Sequence, residues 1–160
     1  MILAIDPGNV MSGYVYMDNN LIPIMFGKIE NNELMNSITY GDFADCDYVA
    51  IEMIASYGMA VGATVFDTCV WIGKFSEKIY NTMELKPTYI YRKDEKINLC
   101  GTMKAKDTNI RQALIDRFGI VGVKKSPGFF YGFKADIWAA MAVGVTFSDM
   151  YLKEGAKSDT

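Results

Sequence analysis

Asp6 closes a short apolar run, Ile2-Leu3-Ala4-Ile5, and Pro7-Gly8 turns the chain directly after it. Glu52 repeats the arrangement at the end of Tyr48-Val49-Ala50-Ile51. Asp136 stands ahead of a third apolar segment, Ile137 to Val145. A carboxylate held away from water needs a cation, a metal or a hydrogen-bond donor beside it, so acids at strand ends are candidates for metal binding. The competing role for Asp6 is structural, opening a turn by accepting backbone N–H groups. The chain contains no histidine. That excludes Cys/His zinc sites, Ser-His triads and histidine general bases. Acid–base or metal chemistry must come from Asp, Glu, Lys, Tyr or Cys.

The elements that must position these acids can be read from periodicity. A short apolar run ended by turn residues predicts a buried strand, so Asp6 and Glu52 each fall where a strand stops. Two strands that each end in an acid can deliver both carboxylates to one crevice. Tyr14 to Met17 and Leu21 to Lys28 predict two further strands, with Pro23 marking an irregularity or a sheet edge. These complete an antiparallel meander with the first strand. Asn31 to Tyr40 is a polar candidate helix. Val61, Val65, Cys69, Ile72, Phe75, Ile79 and Met83 recur at helical spacing and predict one long helix over Met59 to Met83. Thr88 to Tyr91 predicts a strand parallel to its predecessor if that helix is the crossover. Lys106 to Phe118 predicts a helix with Asp107 as N-cap or first-turn acid and Gly119 as its stop. Gly122 to Gly132 reads as a basic loop, and Lys134 to Tyr151 as a final helix that carries Asp136. Residues 1–151 are expected to form one domain and 152–160 a frayed tail.

Composition supports a globular α/β chain: 160 residues, 51% hydrophobic and 22% charged, enough for one substantial core. No signal peptide or membrane-length apolar run is visible, which predicts a cytoplasmic protein. Cys46, Cys69 and Cys100 are odd in number and share no close spacing, and are expected to be buried free thiols. Net charge is −3, yet the window from Arg92 to Lys134 holds ten basic residues against four acids. Its balance of +6, against −9 for the rest, predicts a basic face that meets a polyanion. An ordinary solvated, lysine-rich stretch is the alternative.

Ile5-Asp6-Pro7-Gly8 with Ser12-Gly13, Ile51-Glu52, Cys100-Gly101-Thr102 through Lys106-Asp107, and Asp136-Ile137-Trp138-Ala139-Ala140-Met141-Ala142-Val143 together resemble the RuvC-like Holliday-junction resolvases. The resemblance runs from Met1 to about Phe147, and the versions it is most similar to are carried by bacteriophages of low-GC Gram-positive bacteria. It implies an RNase H-like fold, in which a five-stranded mixed sheet, three antiparallel and then two parallel strands, has helices on both faces. It also implies a metal-dependent endonuclease that cuts branched DNA as a homodimer, in recombination and repair within a bacterial host cell. By position, Asp6, Glu52 and Asp136 match the family's catalytic and metal-binding acids. The family carries a second metal-site side chain three residues from its last acid, where this chain has Ala139, or Phe133 if the match is shifted. Asp107 is a substitute ligand that an N-cap role explains equally.

The chemistry implied is phosphodiester hydrolysis with two Mg²⁺ ions about 3.5–4 Å apart, Mn²⁺ being expected to substitute. Mg²⁺ takes hard oxygen ligands and keeps several waters, so three carboxylates and the phosphate can suffice. Asp6 is expected to bridge both ions, with Glu52 and Asp136 each binding one, and Lys104, Lys106 or Lys134 to orient the water or offset charge. DNA phosphates are expected to meet Arg92, Lys93, Lys96, Lys104, Lys106, Arg111, Lys124, Lys125 and Lys134. In the loop after Glu52, Tyr57 is expected either to stack on an unpaired base or to pack at the start of the helix. Sugar kinases and actin-like ATPases open similarly but need two such lobes, so no nucleotide cofactor is expected. The remaining alternatives are a branched-DNA-binding protein with weak or no cleavage and a ribonuclease H-type nuclease.

Overall fold

The computed structural model describes residues 1–153; most of the expected tail, from residue 154 on, lies outside them. The strands are β1 (Ile2–Asp6), β2 (Met11–Met17), β3 (Pro23–Glu30), β4 (Tyr48–Met53) and β5 (Thr88–Tyr91), joined in one sheet of order β3-β2-β1-β4-β5. β1, β2 and β3 run antiparallel, whereas β1, β4 and β5 run parallel. This is the expected mixed sheet. Pro23 opens edge strand β3 next to a register irregularity at Tyr16/Met17, where its missing N–H does least harm.

Alternation along the strands decides what covers each face. Ile2, Ala4, Val15, Met17 and Ala50 point to one side, under α5 (Asp136–Phe147) and α4 (Asp107–Phe118). Leu3, Ile5, Tyr16, Val49 and Ile51 point to the other, under α1 (Asn31–Tyr40) and α2 (Ala63–Met83). Burying each of the large aliphatics contributes about 1.5–3 kcal/mol. α5 is buried on all sides from Ala140 to Phe147, as an almost uniformly apolar helix must be. A Cβ at its Gly144 would lie 2.5 Å from the Met17 Cε, so glycine sets how closely α5 sits on the sheet. A π-helical turn, Ser148–Leu152, continues it, and Leu152 still packs on the core.

Three local expectations need correction. The long helix begins at Ala63, after Gly62 in extended conformation, and only Thr68, Ile72, Phe75 and Ile79 of its inner face are buried. Val61, Val65 and Cys69 belong to turns that stand clear of the core, so Cys69 is exposed, and Cys46 and Cys100 are half-buried. Lys134 and Ala135 precede the last helix and do not join it. Two elements were not foreseen: α3 (Arg92–Cys100), and a small hairpin of β6 (Gly122–Val123) and β7 (Ser126–Pro127) with Lys124 and Lys125 at its tip. Among the described residues no helix is long and apolar enough to cross a membrane.

Candidate acidic site at the carboxyl ends of the parallel strands

Strand register brings the acids together. Ile5 pairs with Ile51, so Asp6 and Glu52 follow side by side, on the same face as Ala4 and Ala50 and beneath the start of α5. Asp6 pairs with Gly13 of β2, and Gly13 with Lys28 of β3, which makes a row across the sheet. A Cβ at Gly13 would lie 2.4 Å from the carbonyl oxygen of Asp136. Glycine is therefore what lets the first turn of α5 rest on the sheet beside Asp6. The turn after Asp6 is pinned by a buried network. The Gly8 N–H donates to Ser12 Oγ (3.2 Å), Ser12 Oγ to Asn31 Oδ1 (2.6 Å), and Asn31 Nδ2 to the Gly8 carbonyl (2.9 Å).

Asp136 opens α5 after Ala135, whose φ of 45° and ψ of −128° lie in a region that a side chain disfavours. The Asp136 carboxylate meets Lys28 Nζ at 2.7 Å. Beyond β5, Arg92 spans two carboxylates. Its Nη1 donates to Glu95 Oε2 (2.6 Å) and its Nη2 to Asp107 Oδ1. Asp107 is the first residue of α4, with Lys106 as N-cap. A cavity of about 350 Å³ opens beside these groups, lined by Arg92, Asp107, Arg111, Asp136, Trp138 and Ala139 among others.

The electrostatics are those of acids short of partners. Burial, then the adjacent Glu52 carboxylate and the hydrogen bond Asp6 makes to it, push Asp6 up to about 9, with Asp136 and Glu95 adding to the effect. Burial raises Glu52 as well, while the bond from Asp6 and the charge of Arg92 pull it back. Glu95 rises to about 9 through burial and the charge of Glu52, against the pull of Arg92. Such a cluster favours binding of a proton or a cation. The donor set is all oxygen, which suits a hard divalent cation. Among the described residues no three acid side chains yet stand close enough to hold one ion, and Asp136 would have to leave Lys28 to join the pair.

Several of the expected DNA-facing residues are open to solvent. Lys93, Lys104, Lys106, Arg111, Lys124, Lys125 and Lys134 are exposed, and Lys96 is half-buried. Arg111 lies over the Trp138 ring at 4.7 Å. Arg92 turns inward to its two acids. Tyr57 is 61% exposed and borders a second cavity with Tyr91 and Lys93, so it does not pack at the helix start. Phe133 is buried against Phe26, Phe130 and Trp138. Ala139 instead lines the larger cavity. Sequence reasoning missed Lys28, Gly13 and Glu95. The Gly13–Lys28 register was available in principle once the meander was drawn. Glu95 had no signal, since it sits in the charged run Arg92-Lys93-Asp94-Glu95-Lys96.

No protein-family model matches the chain, and no curated protein sequence matches it. Solved structures do. The chain is similar to Thermus thermophilus RuvC in complex with a Holliday junction substrate, with a TM-score of 0.69 and 14% identity over 96% of this chain and 95% of that one. A second Thermus thermophilus RuvC structure matches with a TM-score of 0.66 and 16% identity over 96% of both chains. The fold is that of RuvC, an RNase H-like α/β architecture.

Proposed function

We propose that this chain is a RuvC-type, metal-dependent endodeoxyribonuclease of bacteriophage origin that resolves four-way and other branched DNA in the host cytoplasm. The observation that carries the reading is the pairing of Asp6 with Glu52 at adjoining strand ends, with Asp136 placed over them by Gly13. Asp6, Glu52 and Asp136 are the residues that would hold two Mg²⁺ ions, or Mn²⁺ in their place. Bound there, such ions activate the attacking water and stabilise charge on the phosphate. The chain's own contribution is to exclude competing donors from the acids and to bring phosphate to them. Arg111 and Arg92 line the cavity that adjoins Asp136, and Lys28 balances the charge of Asp136. Lys93, Lys96, Lys104, Lys106, Lys124, Lys125 and Lys134 supply the wider phosphate contacts, and Tyr57 the aromatic face for an unstacked base.

A homodimer fits the two-strand symmetry of a junction. The exposed stripe Phe66, Cys69, Val70 and Tyr80 on α2 is the surface that a second copy would cover.

Incubating a synthetic four-way junction with the protein and Mg²⁺ or Mn²⁺ tests the reading. Symmetric nicking is expected, and it should disappear in Glu52→Gln while junction binding in Ca²⁺ persists. Tight binding with no cutting would favour a branched-DNA-binding protein. Preferential cutting of an RNA–DNA hybrid would favour a ribonuclease H.

A further inference from the structure

Three carboxylates around Asp6 do not close on an ion, and Ala139, one turn beyond Asp136, brings no donor atom to the cavity it lines. Glu95 lies behind Arg92 and is the only charged residue among the described ones that is fully buried. One of its oxygens is accounted for, since Oε2 accepts from Arg92 at 2.6 Å. The other, Oε1, is buried with no hydrogen-bond partner. A buried carboxylate oxygen without a donor carries an uncompensated desolvation cost. A fold that needed only a counter-ion for Arg92 already has Asp107 on the same guanidinium. α3 leaves β5 beside the strand end that carries Glu52, since Glu52 pairs with Ile90, so Glu95 stands one helical turn from the acid pair. Its charge raises Asp6, as that of Glu52 raises Glu95. Asp107, the other acid in reach, is 87% exposed at its side chain and is already engaged by Arg92.

We propose that Glu95, presented by α3 and held by Arg92, is the fourth carboxylate of the cation site. This rests on the two-cation reading above. Arg92 holds one oxygen and leaves the other, which has no partner, to serve as the ligand, the arrangement by which a supporting hydrogen bond orients a ligand.

Mn²⁺ titration of the DNA-free protein, followed by calorimetry, tests it directly. Glu95→Gln keeps the side chain's size, and Glu95→Asp keeps a charge for Arg92 but withdraws the oxygen from the site. Both are expected to weaken Mn²⁺ binding by about 10- to 100-fold, the range for loss of a metal-site partner. Junction binding in EDTA should stay within a factor of about two, since the phosphate contacts are made elsewhere. Adding Ala139→Asp to Glu95→Gln, which returns an acid to the cavity wall, should recover part of the lost affinity. Wild-type Mn²⁺ affinity in both single variants would overturn the assignment and leave Glu95 as a counter-ion. Absence of Mn²⁺ binding by the unmodified protein would instead overturn the two-cation reading, and this inference with it.

Discussion

Two acid clusters in this molecule are built on opposite principles. Asp149, in the π-helical turn after α5, accepts hydrogen bonds from Arg117 Nη1 (2.6 Å) and Nη2 (2.9 Å), Asn98 Nδ2 (3.0 Å) and Lys153 Nζ (3.0 Å). Burial alone would raise it, but these donors outweigh burial and hold it well below the usual carboxylate range. The cluster ties α3, α4 and the C-terminal turn together. Asp6, Glu52 and Glu95 lie deeper than Asp149 and have only Arg92 as a nearby cation among the described residues, and burial first, then their mutual repulsion, pushes them upward. The fold can satisfy an acid fully where it serves as a strut. At the strand ends it withholds donors, which leaves a cluster that favours a proton or a cation.

Exchanging charge for neutrality in each cluster should separate the two roles, with the largest effect at the strand ends. Glu52→Gln is expected to lower junction cleavage by more than about 100-fold. It should also raise the melting temperature of the metal-free protein, because a repelling charge has gone. Asp149→Asn should do the reverse. Stability falls by about 2 kcal/mol through lost charge-assisted bonds, while cleavage at a temperature where the variant is folded stays within about twofold. A Glu52→Gln protein that is less stable without metal would mean that the strand-end acids are also struts.

The pH profile sharpens the same contrast. Folded Asp6 and Glu95 keep a proton up to about 9, whereas an unfolded chain loses it near 4. The fold thus binds more protons than the unfolded chain over that interval, and metal-free stability should decline as pH rises from about 4 toward 9. Added Mg²⁺ should offset the decline increasingly toward alkaline pH. Asp149 acts on the other limb. Its contribution is complete above about 4 and is lost as the pH falls below that value. Thermal melts across pH check both, since Glu52→Gln should flatten the alkaline limb and Asp149→Asn the acid one. An alkaline decline that Mg²⁺ leaves untouched would separate the acids' titration from cation binding.

The difference between the clusters also explains what could be read in the sequence. Asp6 and Glu52 were legible because each ends a short continuous apolar run, and α5 because its apolar run is long. The five strands could be found from such runs, while the five-stranded RNase H-like sheet they form was what the family resemblance implied. α3 was not legible, because its one fully buried residue is Glu95 and a buried acid is written in the same letters as a solvated one. The β6–β7 hairpin has two-residue strands, too short for any period to show. Lys28 was visible as a strand residue, but its partnership with Asp136 joins positions 108 residues apart and depends on the Gly13 contact between them.

Gly13 offers a graded way to disturb the acid site without touching an acid. In Gly13→Ala the new methyl meets the Asp136 carbonyl at 2.4 Å and its Cβ at 2.9 Å. Both belong to the first turn of a buried helix, so α5 must shift outward. Overpacking of this kind costs about 1–3 kcal/mol. Cleavage should fall about tenfold or more even where the variant is fully folded, because Asp136 retreats from Asp6 and Glu52. Junction binding in EDTA should change little. Equal losses of binding and cleavage would point to general damage to the fold.

The smallest effect is expected at Ala135. Its positive φ and strongly negative ψ are conformations that glycine adopts freely, and holding a side chain there costs about 1–3 kcal/mol. Ala135→Gly removes that cost but loosens the unfolded chain by about 0.4–1 kcal/mol, so the net should be a gain of about 1 kcal/mol in thermal unfolding. Because glycine can keep the same backbone course, Asp136 stays where Gly13 allows it, and cleavage should remain within about threefold. A stabilised variant with much weaker cleavage would show instead that the strained alanine, and not the glycine beneath α5, is what aims Asp136 at the strand-end pair.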